Sequence, residues 1–149
     1  MTGTYRLGLD IGSTTVKVAI LDQEKNLHFS DYRRHFANIQ ETLADLLEEA
    51  KEKLGDCTLA CMVTGSGGLS LAKHMGQPFC QKVVAVANSL KEYYPKTDVA
   101  IELGGEDAKI IYFKGGIDQR MNGICAGGTG SFIDQMASLM ELDAGTLNE

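Results

Sequence analysis

Between Tyr5 and His35 the chain carries three strand-length segments whose connections are too short for a crossover, and this restricts the fold more than any other feature. Residues 5–10 are short and apolar. Residues 15–21 alternate and are rich in β-branched side chains, and residues 27–35 follow the polar turn DQEKN. An antiparallel meander is the expected result. At Asn38 the period changes: Ile39, Leu43, Leu46, Leu47, Ala50 and Leu54 recur at helical spacing, with Asn38 as a possible cap and Gly55 as a stop. The run CTLACMVT at 57–64 has strand length and suits a strand buried on both faces, ending at the loop GSGG.

A short helix at 69–75 and a longer one at 83–94, stopped by Pro95, are expected next. Strand signals return at 99–103 and 109–113, flanking GGED in a hairpin arrangement, with a third strand at 117–121. The glycine-rich loop GICAGGTG at 123–130 then opens a helix through Phe132, Met136, Leu139 and Met140 to about Leu142. The order predicts an α/β fold. The strand pairs at 5–21 and 99–113 are loosely similar, consistent with an internal duplication whose boundary lies near Pro95.

A length of 149 residues fits one compact domain or two small lobes. Hydrophobic residues at 44% and charged residues at 23% are ordinary globular values, and no segment holds the roughly 18 uninterrupted apolar residues of a membrane span. The first ten residues lack the basic flank and apolar stretch of a secretory leader, so a cytoplasmic location is expected. There Cys57, Cys61, Cys80 and Cys125 are thiols, ligands or catalysts sooner than disulfides. With 14 basic against 20 acidic residues, a net charge of -6 offers no broad field for nucleic acid. Glycine is the outlier. Eight of the 17 lie between Gly104 and Gly130, where tight loops bring backbone close to a ligand or need positive φ.

Two segments carry candidate chemistry. In DIGSTTVK, residues 10–17, a carboxylate at a strand end precedes a Gly/Ser/Thr turn into a second strand, which sets N-H groups and hydroxyls around a concavity that anions can occupy. Asp10 itself would repel phosphate unless Mg²⁺ or a water lies between them, and Lys17 can give a point charge to the same oxygens. A plain hairpin turn uses the same residue types. ELGGEDAK, residues 102–109, repeats the device, and two such hairpins facing one another would clamp a triphosphate and its metal. By itself, GGED is also a solvated surface turn. There is no GxxxxGK[ST] loop and no GxGxxG in a dinucleotide-binding context.

Cys125 precedes a glycine loop and a helix, whose N-terminal amides and dipole favour a thiolate; a small buried residue at a helix entry is the plain alternative. Cys57 and Cys61 read as apolar filler on a strand, and His28, His35 and His74 as solvated or locally hydrogen-bonded. Glu49 and Lys53 suit an i,i+4 pair on the wet face of the first helix, and Met136 and Met140 suit core packing.

DIGSTTVKVAI, IELGGEDAKI and the β-β-β-α-β-α order resemble the superfamily of actin, sugar kinases and heat-shock chaperone ATPases, with a ribonuclease-H-like core. More narrowly, MNGICAGGTGSFID at 121–134 resembles the cysteine loop of the ATP-dependent activators of 2-hydroxyacyl-CoA dehydratases and benzoyl-CoA reductases. The likeness runs over nearly all of the chain. It implies a ribonuclease-H-like, actin-like ATPase lobe at 1–95 and the start of a second lobe at 96–149. It further implies Asp10 near Mg²⁺-bound ATP phosphates, with Gly12, Ser13, Thr14 and Thr15 as the first phosphate loop and Lys17 as a phosphate contact. Glu102, Gly104, Gly105 and Lys109 would belong to the second phosphate loop, with Glu106 and Asp107 near the metal or the attacking water.

By the same resemblance Cys125 would ligate a [4Fe-4S] cluster bridging a homodimer, and ATP hydrolysis would drive one low-potential electron to an acyl-CoA dehydratase or reductase. Simpler members carry Asp and Gln where this chain has Glu102 and Glu106, and the family's TGYGR-like segment stands here as TGSGG, so no role transfers to a missing arginine. The second cluster cysteine and the base pocket of the family lie downstream of residue 149, which implies one lobe plus the beginning of another and uncovered apolar surface that favours pairing. A sugar- or carboxylate-type kinase shares the phosphate hairpins without needing Cys125. A non-catalytic interaction module is the third reading.

Overall fold

In a computed structural model residues 3–122 and 128–141 are described. The chain forms two compact units, Met1–Ala85 and Val86–Glu149. Unit 1 is built on a mixed sheet of β1 (Thr4–Ile11), β2 (Thr15–Leu21), β3 (Leu27–Arg34) and β4 (Thr58–Thr64), in the order β3-β2-β1-β4. The first three strands make the expected antiparallel meander. β4 returns parallel to β1 after α1 (Ile39–Leu54), a crossover that parallel pairing requires.

Alternation along each strand decides what is buried. Leu7, Leu9 and Ile11 of β1, Val16, Val18 and Ile20 of β2 and Phe29 of β3 line one face, and Leu43, Leu46 and Ala50 of α1 close over it with Val63 and Ala72. Complete burial of a side chain such as Leu46 is worth roughly 1.5–3 kcal/mol. Asp10 and Lys17 are register partners with the opposite strand parity, so they share the other face at the end of the hairpin.

Two expectations change. β4 is not buried on both faces: it stands at the sheet edge, only Val63 along it is buried, and beyond it lies a single parallel bridge from Val63 to Phe79. Its apolar content serves the α1 face through Cys61 and Val63. Burial pushes the Cys61 thiol up from its ordinary pKa. Glu49, expected to pair along the helix, instead accepts from Arg33 Nη2 at 2.6 Å, while the same guanidinium holds Asp31 at 2.8 Å. This fork ties β3 to α1, although solvent screens both pairs and keeps their contribution to stability small. Asn38 occupies the N-cap position without a side-chain cap bond, its amide donating to Glu41.

The 22–26 turn is held by Asp22, whose Oδ1 accepts from Glu24 N and Asn26 N at 2.9 Å each. The His28 ring at 2.8 Å from Oδ2, and then the Asn26 amide, hold this carboxyl well below the usual carboxylate range. α2 (Gly68–His74) leads to residues 78–80, which lie along β4, and α3 (Lys82–Tyr93) ends before Pro95. Unit 2 is an antiparallel sheet of β5 (Val99–Leu103), β6 (Ala108–Tyr112) and β7 (Asp118–Met121), in that order, with α4 (Gly130–Leu139). None of the described helices is long and apolar enough to cross a membrane.

Candidate functional site

The first acidic turn is a tight hairpin. Gly12 N-H donates to Thr15 O at 2.8 Å, and Thr15 is buried while Ser13 is exposed and Thr14 half-buried. Asp10 ends the strand beside it, and Lys17, directly across the hairpin, brings Nζ to 3.1 Å from Asp10 Oδ2. Here the structure brings together Asp10, Gly12, Ser13, Thr14, Thr15 and Lys17. Two further groups join them. Lys82 Nζ lies 3.6 Å from the same Oδ2, and Gly65, at φ +96°, packs on the Asp10-Ile11 backbone.

Asp10 Oδ1 and Thr64 Oγ1 are buried and have no hydrogen-bond partner among the described residues. Leaving such groups bare costs free energy. Hard oxygen donors of this kind suit Mg²⁺ or a water in its shell, so the donor set fits the metal that the sequence implied. Among the described residues no group of three or more His, Cys, Asp or Glu could hold a metal ion, but Mg²⁺ on phosphate needs only one or two carboxylates.

His35 steadies the turn from the side. Its N-H donates to Thr14 O at 3.1 Å, and Ala37 N-H donates to its Nδ1 at 3.1 Å. That fixes the ring proton on Nε2, which donates to Gly12 O at 3.2 Å. The residue is only 6% exposed. Sequence reading placed no histidine here. The meander register was the available signal, because a residue just past β3 must fall beside the β1-β2 turn. His35→Ala should destabilise the chain by about 1–3 kcal/mol, read from the urea midpoint, since it leaves Gly12 O and Ala37 N without partners.

The second acidic turn is also a hairpin, with Glu102 opposite Lys109 and Gly104 N-H donating to Asp107 O at 2.8 Å. Lys109 Nζ holds Asp107 Oδ2 at 2.9 Å, Glu102 is half-buried, and Glu106 is exposed. The start of α4 grips this turn: Gly130 N-H donates to Gly104 O at 3.0 Å and Ser131 N-H to Gly105 O at 2.7 Å. A Cβ at Gly130 would sit 3.3 Å from Gly105 Cα, so the close approach depends on glycine. Asn122 Oδ1 accepts from Ala108 N at 2.8 Å on the far side. Thus Glu102, Gly104, Gly105, Glu106, Asp107 and Lys109 form one local group. Cys125 lies outside the described residues.

Comparison with known proteins locates this arrangement. The profile of the BadF/BadG/BcrA/BcrD ATPase family matches residues 7–147. The (R)-2-hydroxyglutaryl-CoA dehydratase activating ATPase of Acidaminococcus fermentans is 30% identical over 97% of this chain and 57% of its own length. The 2-hydroxyisocaproyl-CoA dehydratase activator of Clostridioides difficile is 30% identical over 96% of this chain and 55% of its own. Among solved structures, the activator of the 2-hydroxyisocaproyl-CoA dehydratase from Clostridium difficile with bound ADPNP is 29% identical, with a TM-score of 0.79 over 94% of this chain and 53% of that one. The chain therefore spans about half the length of the curated relatives it matches.

Proposed function

This chain belongs to the BadF/BadG/BcrA/BcrD ATPase family and has the actin-like ATPase fold, and from that premise we propose that it carries the phosphate-binding machinery of an ATP-hydrolysing activator serving an acyl-CoA dehydratase or reductase. The observation that carries the proposal is Asp10: a buried, unpartnered Oδ1 on a carboxylate whose other oxygen faces two lysines at the mouth of a Gly/Ser/Thr turn. In this reading Asp10 holds Mg²⁺, directly or through a water, and the N-H groups and hydroxyls of residues 12–15 take phosphate oxygens with Lys17. When bound there, Mg²⁺ would supply charge neutralisation to the transferring phosphoryl group.

The Glu102–Lys109 turn is assigned as a second phosphate loop in its own right, with Gly104 and Gly105 giving close backbone approach. Asp107 is engaged by Lys109, which makes the exposed Glu106 the better candidate to orient the attacking water. Water adds to the γ-phosphorus, the bond to the β-γ bridging oxygen breaks, and ADP and phosphate leave. Cys125 is assigned as a thiolate ligand of a [4Fe-4S] cluster shared by a homodimer; two such chains supply two of the four thiolates that such a cluster requires. When bound, the cluster would supply the low-potential electron for the partner enzyme. A soluble, intracellular setting suits this chemistry.

Product stoichiometry tests the reading. With MgATP and no acceptor, ADP and inorganic phosphate should appear in equal amounts. A kinase would form ADP without free phosphate, and only when a small hydroxyl or carboxylate acceptor is added.

A further inference from the structure

We propose that Thr64 is a positioning residue of the Asp10 site, its hydroxyl accepting from a water in the shell of Mg²⁺; the inference rests on the nucleotide reading above. Sheet register places it. Asp10 pairs with Lys17 on its antiparallel side and with Thr64 on its parallel side, so the three stand in one row across β2, β1 and β4. Val63, the neighbour of Thr64 on β4, pairs with Leu9 and belongs to the buried core, which turns Thr64 to the opposite face with Asp10.

The hydroxyl is the feature that needs a cause. A valine would suit this strand end equally well, yet the chain carries a threonine whose Oγ1 is buried and without a hydrogen-bond partner among the described residues. The same is true of Asp10 Oδ1 on the next strand. Desolvating either atom without a partner opposes folding, and here the two stand on neighbouring strands. Both can accept hydrogen bonds. Paired strands lie about 4.8 Å apart, a span that one water with two O-H donors bridges. Mg²⁺ on phosphate keeps several of its waters, and those waters turn their hydrogens away from the ion, so acceptors on adjacent strands suit its shell. Thr64 is neutral and serves that shell without adding a second carboxylate to repel phosphate.

The test combines calorimetric titration of ADPNP at graded Mg²⁺ concentrations with ligand-free urea midpoints for the wild-type chain, Thr64→Val and Thr64→Ser. Thr64→Val should fold with a raised midpoint, since it keeps the shape and removes a buried hydroxyl that has no partner. It should also need about tenfold more Mg²⁺ for half-maximal ADPNP binding, and Thr64→Ser should recover most of the wild-type requirement. A wild-type Mg²⁺ requirement in Thr64→Val would overturn the inference and leave the nucleotide reading standing. Equal loss in both variants with lowered midpoints would overturn it too, by showing a packing role. Absence of Mg²⁺-dependent ADPNP binding to the wild-type chain would overturn both.

Discussion

Gly65→Ala should cost about 3 kcal/mol or more and lower the urea midpoint more than any other single glycine replacement in unit 1. At φ +96° a side chain is already strained by roughly 1–2 kcal/mol. The added carbon would also stand inside van der Waals contact of Ile11 O and 2.6 Å from Asp10 Oδ1. The backbone carbonyl cannot yield. Ile11 is fully buried in the sheet core and its carbonyl accepts from Gly67 N-H at 3.0 Å. Gly76 supplies the control: its φ is +63°, but a Cβ there meets nothing within 4 Å, so Gly76→Ala should cost only about 1 kcal/mol. Equal midpoints for the two variants would show that the close packing of Gly65 on the Asp10 turn contributes nothing.

Asp10→Asn should leave the chain folded and reduce Mg-dependent ATP hydrolysis on the order of 10²-fold or more. The substitution keeps shape while removing the charge that would hold the metal. The loss of Lys17 and Lys82 as ion-pair partners costs little, about 1 kcal/mol or less, because Lys17 is 42% exposed and Lys82 keeps some access to water. Phosphate release measured against an unchanged urea midpoint separates the chemistry from stability. Activity within a few-fold of wild type would remove Asp10 from the reaction.

The fold was legible where period and connection length decide it. Three strands with turns of a few residues can only make a meander, and the change to helical spacing at Asn38 announces α1. β4 was misread because a buried parallel strand and an edge strand with one packed face have the same apolar run; the sheet order that separates them is set by tertiary pairing. The same limit applies within the site. Asp10 and Lys17 are linked by hairpin register and could be read together, whereas Lys82 and Gly65 reach Asp10 through parallel pairing of distant segments, and nothing local distinguishes Lys82 from a surface lysine. The grip of the α4 amides on Gly104 and Gly105 is likewise non-local. Cys125 owes its assignment to family likeness, since one cysteine before a helix carries no spacing signal.

Titrating MgADPNP by calorimetry into the wild-type chain and Asp10→Asn, with and without excess EDTA, tests the claim that the Asp10 turn binds metal-bound nucleotide phosphates. The account predicts micromolar binding by the wild-type chain that disappears with EDTA and falls at least tenfold in Asp10→Asn. Binding that is indifferent to both changes, or no binding at all, would contradict it.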